Sequence, residues 1–241
     1  MSTSSSAAEK EHATRVRAMF ANISGRYDLL NHLLSGSIDK TWRHKVARQL
    51  GILIGERGNV LDVACGTGDL SFALVEDLGA KVVGADFCRP MLTIAQSKAR
   101  KDKQSIPFVE GDALHLPFSN DSFDGATIAF GLRNLASFDA GLKELFRVVR
   151  NGGGVVVLEF SQPVVPGFRG LFQFYFHRVL PFVGGVVSGS KSAYEYLPSS
   201  VTRFPDQQGL VALMRDAGFE EVEYSNLTGG IAAIHSGRKP R

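Results

Sequence analysis

The sequence predicts an α/β fold in which a mostly parallel sheet carries helices on both faces. From Gly58 onward, short apolar runs typical of buried strands alternate with segments whose apolar residues recur at helical spacing. A turn containing Gly66 and Gly68 joins the first of these runs directly to a helix, as in the strand-turn-helix units that bind nucleotides. Both observations favour one continuous, helix-covered sheet.

The predicted elements follow one another along all 241 residues. Residues 1–50 carry apolar side chains at helical spacing and are expected to form a helical prefix. Seven strands are predicted at 59–64, 81–86, 107–110, 124–130, 155–160, 220–225 and 231–236, with helices between them at 69–78, 89–101, 138–149 and 206–217. Gly229 and Gly230 link the last two strands closely, which favours an antiparallel pair at one edge of the sheet. We expect a single domain over residues 1–241.

Charge and residue usage exclude several classes of function. The formal net charge is only +3 and no dense basic run is interleaved with aromatic residues, so nucleic acid is not an expected partner. Cys65 and Cys88 lack the spacing of a zinc site or a disulfide framework, and the six histidines show no paired spacing, so no metal is expected. Free thiols, and residues 1–8 without the apolar stretch of a secretory signal, lead us to expect a cytoplasmic protein.

Acidic residues mark the ends of the first three predicted strands. Asp62 lies near the end of the first, Asp86 ends the second and Asp112 follows the third, and carboxyl ends of parallel strands meet at the ligand-binding edge of a sheet. Asp69 would open the helix after the glycine turn, where a carboxylate repels a diphosphate and favours a cationic ligand. S-adenosylmethionine, a sulfonium, is such a ligand. The alternative is that these acids only cap helices and turns.

The segment 164–200 interrupts the alternation of strands and helices. Its first part is rich in phenylalanine and valine, but Arg169, His177, Arg178 and Pro181 break it well before the roughly 20 apolar residues that a membrane-spanning helix needs. Three interpretations remain open. The segment adds to the core, forms a lid over a large apolar substrate, or dips into a membrane interface.

Four separated segments carry a family resemblance. They are Gly-Arg-Tyr-Asp-Leu-Leu-Asn at 25–31 with Trp42-Arg43, Leu-Asp-Val-Ala-Cys-Gly-Thr-Gly-Asp at 61–69, Phe-Gly-Leu-Arg-Asn at 130–134 with Leu-Glu-Phe-Ser at 158–161, and Tyr-Glu-Tyr-Leu at 194–197 continuing through Arg-Phe-Pro-Asp-Gln at 203–207 to Ala-Gly-Phe at 217–219. With these the chain resembles the quinone C-methyltransferases, which methylate demethylmenaquinol or the ubiquinol precursor. The resemblance implies a Rossmann-like class I methyltransferase fold and S-adenosylmethionine as co-substrate.

The expected cofactor site combines the glycine turn with positions that the resemblance matches. The turn itself contributes Asp62, Gly66 and Gly68, and the resemblance implies contacts at Thr67, Asp86, Asp112 and Ala113. It also implies a contact at Ala129, where the family often has a serine, so that only a backbone contact is expected here. Before Trp42, the residues Ser-Ile-Asp-Lys at 37–40 replace the more usual Gly-x-His-Arg, and no role is carried over to them.

Arg133 and Asn134 are the candidates for catalysis. Arg133 directly follows the fourth strand and is expected at the ligand-facing edge, where it would stabilise a phenolate or orient a water molecule. The alternative is an arginine that pairs structurally with an acid. Polar members of the family segments give the substrate candidates, which could equally brace a lid: Asp28, Asn31, Tyr196 and Arg203. Because a hydroquinone hydroxyl makes the ring carbon nucleophilic, we expect the reduced quinol as substrate.

The expected function is methylation of demethylmenaquinol in menaquinone biosynthesis. The alternatives are methylation of the benzoquinol precursor in ubiquinone biosynthesis and a non-catalytic cofactor-binding subunit of a quinone-biosynthesis assembly. A nicotinamide-dependent oxidoreductase is disfavoured by Asp69. The prenyl tail of the substrate leads us to expect transient contact with the inner face of the membrane. A homodimer is compatible with the sequence.

Overall fold

The computed structural model describes residues 7–29, 37–165 and 191–241. Predictions on the remaining residues, including Asn31 and most of the segment 164–200, lie outside the described residues. The helices are α1 (Ala7–Ile23), α2 (Ile38–Ile54), α3 (Asp69–Leu78), α4 (Arg89–Lys101), α5 (Phe138–Val148), α6 (Lys191–Arg203) and α7 (Gln207–Asp216). The strands are β1 (Asn59–Val63), β2 (Lys81–Asp86), β3 (Phe108–Glu110), β4 (Phe123–Ala129), β5 (Val149–Phe160), β6 (Glu220–Leu227) and β7 (Ala232–Arg238).

The seven strands form one sheet in the order β3-β2-β1-β4-β5-β7-β6. Strands β1 to β5 run parallel to one another, and β7 pairs antiparallel with both β5 and β6. The predicted antiparallel pair is therefore confirmed, with β7 as the reversed strand just inside the edge strand β6. The chain winds outward in both directions from β1 and β4, so a ligand crevice is expected at their carboxyl ends.

The sheet is buried on both faces because its strands alternate between two apolar layers. In β5, Val155 and Val157 face one layer with side chains of α5 and α7, whereas Val156 and Leu158 face the other with side chains of α2 and α3. All four side chains are fully buried. Each such burial contributes about 1.5–3 kcal/mol, which explains the unbroken apolar run that a covered strand requires.

The chain turns sharply where β1 and β4 end. Ala64 and Phe130 follow these strands with φ of 52° and 55°, in the left-handed region that side chains disfavour. The two turns touch, since a Cβ on Gly131 would lie 2.5 Å from Cβ of Ala64. Only glycine fits there. Such strained turns are held by their surroundings and often occur at functional sites.

The predicted helical prefix is confirmed for its described part by α1 and by most of α2, which continues to Ile54. Within the described ranges, no helix combines the length and apolar character required to cross a bilayer.

Candidate active site

A cleft opens at the carboxyl edge of the sheet, between the ends of β1, β2 and β4, and α1 covers it. Its main part is lined by Asp86, Asp112, Ala113 and Asn134, together with Lys10, His12 and Phe20 of α1. A second lobe is lined by Asp62, Thr67 and Asp69. Gly66, Ala129 and Phe130 line both parts. The structure thus brings together the predicted cofactor residues. Gly68 lies in the same turn, where a Cβ on it would lie 3.0 Å from the ring of Phe108 and 3.2 Å from that of Phe72.

Asp86 holds the glycine turn against the end of β2. Its Oδ2 accepts a hydrogen bond from the backbone N–H of Gly66 at 2.9 Å, and its Oδ1 accepts one from that of Cys88 at 2.8 Å. Burial raises the pKa of Asp86 to about 6. The hydrogen bonds from the two amides and the charge of Arg17 lower this pKa and offset part of the rise. A carboxylate has about four lone-pair positions, so both oxygens can accept further hydrogen bonds from ligand hydroxyls.

Asp62 lies beneath the second lobe with 1% of its surface exposed. Its two oxygens accept hydrogen bonds from the hydroxyls of Ser71 at 2.6 Å and Thr127 at 3.1 Å. Burial raises its pKa to about 7, because the two hydroxyls offset only part of the lost hydration. The carboxylate is therefore a group that changes charge near neutral pH.

Asp62→Asn is expected to stabilise the protein at pH 8 and to have little effect at pH 4. With a pKa of about 7 when folded and 3.8 as the reference value, Asp62 binds a proton more tightly in the folded state. Its contribution to stability is therefore lost as pH rises from about 4 to 7, by up to about 4 kcal/mol. Urea denaturation at both pH values measures this. Equal pH dependence in the two proteins would contradict the assignment.

Asp69 does not present the free negative charge that the sequence predicts. Its Oδ1 lies 2.5 Å from Nζ of Lys98, and its Oδ2 lies 3.6 Å from the guanidinium of Arg43. Lys98 also pairs with Asp28 at 2.8 Å and donates to the carbonyl of Thr67 at 3.1 Å. Asp69 is therefore not a free carboxylate, although Lys98 and Arg43 also pair with Asp28 and Asp39, and the cationic preference inferred from Asp69 stays a prediction.

Three of the four substrate candidates lie within the described residues, and they have different surroundings. Asp28 accepts a hydrogen bond from the hydroxyl of Thr67 at 2.5 Å, so it clamps the glycine turn from the prefix side. Tyr196 lies on α6. Burial raises the pKa of its hydroxyl, and the charges of Arg133 and Arg203 offset part of that rise. Arg203 is exposed at the end of α6. Asn31 is outside the described residues.

Arg133 is buried and paired with an acid, which is the alternative considered for it from the sequence. Its Nη1 lies 2.9 Å from Oε2 and 3.1 Å from Oε1 of Glu159, which is 1% exposed. The same nitrogen donates to the carbonyl of Phe130 at 2.6 Å. The guanidinium also lies over the rings of Phe130 and Phe160, at 5.8 and 5.2 Å from their centroids. Arg133 therefore fixes the strained turn after β4.

Two residues of the site were missed by reasoning from the sequence. Glu159 is an acid inside the buried apolar run of β5, and such an acid requires a cation or several donors nearby. The position of Glu159 in an apolar run was therefore a signal that the sequence offered. His12 of α1 donates from Nε2 to the carbonyl of Asn134 at 3.0 Å, since a carbonyl can only accept. No motif distinguishes His12 from an exposed helical residue.

Comparison with known proteins places this geometry in a family. The model of the "ubiE/COQ5 methyltransferase family" matches residues 8–239, which is nearly the whole chain. The chain belongs to the ubiE/COQ5 methyltransferase family. The predicted family and methyltransferase class are thereby confirmed.

Curated relatives of this ubiE/COQ5 methyltransferase match it over almost their full length. A demethylmenaquinone methyltransferase of Thermus thermophilus is 50% identical over 223 residues, covering 92% of this chain and 100% of the relative. A ubiquinone/menaquinone biosynthesis C-methyltransferase UbiE of Geobacter sp. is 43% identical, covering 95% of this chain and 98% of the relative. Both names therefore refer to proteins of the same extent as this one.

Solved structures share the fold of this ubiE/COQ5 methyltransferase at low identity. Phosphoethanolamine N-methyltransferase 2 of Haemonchus contortus, solved with S-adenosyl-L-methionine, has a TM-score of 0.63 at 14% identity, covering 83% of this chain and 53% of that one. The [4+2]-cyclase SpnF has a TM-score of 0.62 at 19% identity, covering 82% and 80%. Since one of the two is named as a cyclase, these likenesses establish the fold and not the reaction.

Proposed function

We propose that this enzyme transfers the methyl group of S-adenosylmethionine to a ring carbon of demethylmenaquinol, giving menaquinol in menaquinone biosynthesis. The proposal is supported by the cleft at Asp86, which lies where the chain winds outward in both directions from β1 and β4. The chain is also 50% identical to a relative named as a demethylmenaquinone methyltransferase. The benzoquinol precursor of ubiquinone is the second candidate. It is supported by a relative that is named for both ubiquinone and menaquinone biosynthesis.

The two parts of the cleft suggest how the cofactor lies. We place the ribose on Asp86, whose oxygens accept hydroxyl donors, and the adenine beside Asp112 and Ala113 in the main part. The amino-acid end then occupies the second lobe with Asp62 and Thr67. Gly66, Ala129 and Phe130 line both parts and would hold the sulfonium between them.

Methyl transfer is a displacement in line with the breaking bond. The ring carbon attacks the methyl group, the methyl–sulfur bond breaks, and its electron pair stays on sulfur to give S-adenosylhomocysteine. The ring carbon then loses its proton, so each turnover releases one proton to solvent. The chain's own contribution is to hold the ring carbon about 3–3.5 Å from the methyl group and to exclude water, with α1 covering the cleft.

Arg133 supports this geometry through its hold on the turn after β4. Its Nη1 and Nδ2 of Asn134 both donate to the carbonyl of Phe130, at 2.6 and 3.0 Å. We therefore assign Arg133 first to positioning Phe130 beside the sulfonium. Stabilisation of a phenolate by Arg133 remains a prediction.

A labelled-methyl assay tests the proposed function. Purified protein, S-adenosylmethionine carrying a labelled methyl group and reduced demethylmenaquinol are combined without oxygen, beside the demethylated benzoquinol. Label in menaquinol with little in the benzoquinol product is the expected result. Label mainly in the benzoquinol product favours the second candidate, equal labelling shows that both rings are accepted, and cofactor binding without any labelling favours a non-catalytic subunit.

We further propose that the enzyme reaches its prenylated substrate by transient contact with the inner face of the membrane through the segment 164–200. The support is its aromatic composition, together with Val164 and Val165, which are 56% and 46% exposed where the segment begins.

Replacing Phe172 and Phe176 with aspartate is expected to reduce turnover of a long-tailed quinol about tenfold while a short-tailed analogue is affected less than about twofold. The reason is that only the long tail requires apolar cover. Initial rates with both substrates measure the difference. The control is Ile52→Asp, because Ile52 lies on α2, outside the segment, and is 73% exposed. Equal losses with both substrates would contradict the proposal.

A further inference from the structure

Asn134 carries a buried acceptor that nothing in the described structure satisfies. Its Oδ1 is buried and has no hydrogen-bond partner among the described residues. Asn134 is one of the residues that line the main cleft, beside Gly131 and Leu135. A buried acceptor without a donor is unfavourable and uncommon in native structures, so this one calls for a partner such as a ligand hydroxyl.

The orientation of this amide is set by its surroundings. Nδ2 donates to the carbonyl of Phe130 at 3.0 Å, and a flipped amide would instead bring two acceptors together. The backbone is held as well, because Asn134 N–H donates to the carbonyl of Gly131 at 3.0 Å and its carbonyl accepts from His12. Nδ2 keeps a second N–H, which does not distinguish a quinol from a quinone, and Oδ1 is the acceptor left without a donor.

We infer that Oδ1 of Asn134 accepts a hydrogen bond from a hydroxyl of the quinol and thereby selects the reduced substrate. The inference rests on the proposed function. A hydroquinone hydroxyl donates, whereas a quinone carbonyl only accepts and would face Oδ1 as a second acceptor. Nε of Arg133, which is also buried without a partner among the described residues, is a donor and does not distinguish the two forms. Selection thus depends on Asn134.

The chemistry gives this selection a use. Only the hydroquinone has the electron-rich ring that attacks a sulfonium, so a bound quinone would block the site without reacting. Sites built to bond a ligand hydroxyl discriminate strongly against the analogue that lacks it, because the buried polar group is then unpaired. We expect the wild-type protein to bind the reduced form at least about tenfold more tightly.

The test compares redox preference in the wild type, Asn134→Ala and Asn134→Asp. Anaerobic calorimetric titrations measure the Kd of a short-tailed naphthohydroquinone and of the corresponding naphthoquinone, with S-adenosylhomocysteine present. Asn134→Ala removes the acceptor and should bring the ratio of the two Kd values to within about twofold of unity. Asn134→Asp keeps an acceptor but loses the donor to the carbonyl of Phe130, so a retained preference for the reduced form shows that the acceptor, and not the bond to Phe130, sets the ratio. An unchanged ratio in Asn134→Ala overturns the inference, as does a wild type that binds both forms equally.

Two further measurements separate the outcomes. The Kd of S-adenosylhomocysteine alone should change less than about twofold in Asn134→Ala, and a larger loss would show that the cofactor supplies the donor, which overturns the inference. Methyl labelling by the wild type reports on the proposed function independently. If labelling occurs but the Kd ratio does not depend on residue 134, the function stands and the role of Asn134 fails.

Discussion

Replacing Arg133 with methionine is expected to lower the free energy of unfolding by about 3–5 kcal/mol at pH 7. Glu159, which is 1% exposed, would keep among the described residues only the backbone amides of residue 133 and Phe160 as donors, at 3.1 and 3.0 Å. Urea denaturation measures the change. The matched control is Lys143→Met, which breaks the exposed 2.8 Å pair with Asp139 and should cost less than about 1 kcal/mol.

The same variant should become more sensitive to pH. Burial raises the pKa of Glu159, and the charge of Arg133 opposes that rise. Without Arg133 the pKa in the folded state rises further, so the folded protein binds a proton that the unfolded protein has released. Stability is then lost as pH increases, and the deficit of Arg133→Met should be larger at pH 8 than at pH 5.5.

A double variant separates the charge from the role of Arg133 at the turn. Arg133→Met with Glu159→Gln removes both charges and should recover most of the stability at pH 8. It should not recover methyl transfer, because the carbonyl of Phe130 still lacks the donor that Arg133 provides at 2.6 Å. A loss of stability in Arg133→Met no larger than that in Lys143→Met would contradict the buried-pair description.

The fold was predictable because its local signals agree with its packing. Strand β2 and helix α4 have the predicted bounds, since apolar runs and turn residues mark their ends. The main difference is β5, which begins at Val149 instead of 155. Its first residues, Arg-Asn-Gly-Gly-Gly at 150–154, have loop composition, but Gly154 pairs with Gly125 of β4 and Arg238 of β7. Partner strands impose that extension, and composition does not reveal it.

The sequence predicts where the acidic residues of the candidate site lie, but it does not predict which cations pair with them. Asp62, Asp86 and Asp112 meet at one edge because parallel strands end there. Which cation faces each acid depends on helix positions tens of residues away. Lys98 of α4 reaches Asp69 across 29 positions of sequence, and no spacing rule selects it over Arg100 on the same helix. Charge at a site therefore cannot be read from the acids alone.

Asp86→Asn is expected to weaken binding of S-adenosylhomocysteine by about 100-fold or more. An amide offers one acceptor oxygen where the carboxylate serves the amides of Gly66 at 2.9 Å and Cys88 at 2.8 Å and still has lone pairs for ribose hydroxyls. Calorimetric titration measures the Kd. Asp124→Asn is the matched control, because Asp124 lies at the opposite end of β4, where it pairs with Arg150. It should change the Kd less than about twofold.

The pH dependence of binding gives a second test of the same carboxylate. Hydroxyl donors bind the ionised form of Asp86 better, and burial raises the pKa of this group to about 6 in the free protein. The Kd should therefore rise by up to about tenfold per unit below pH 6, apart from any change around pH 7 that comes from the titration of Asp62 in the second lobe. Asp86→Asn should remove that rise. A Kd that stays constant down to pH 5 in the wild type would show that Asp86 does not accept from the ligand, whatever the loss in the variant.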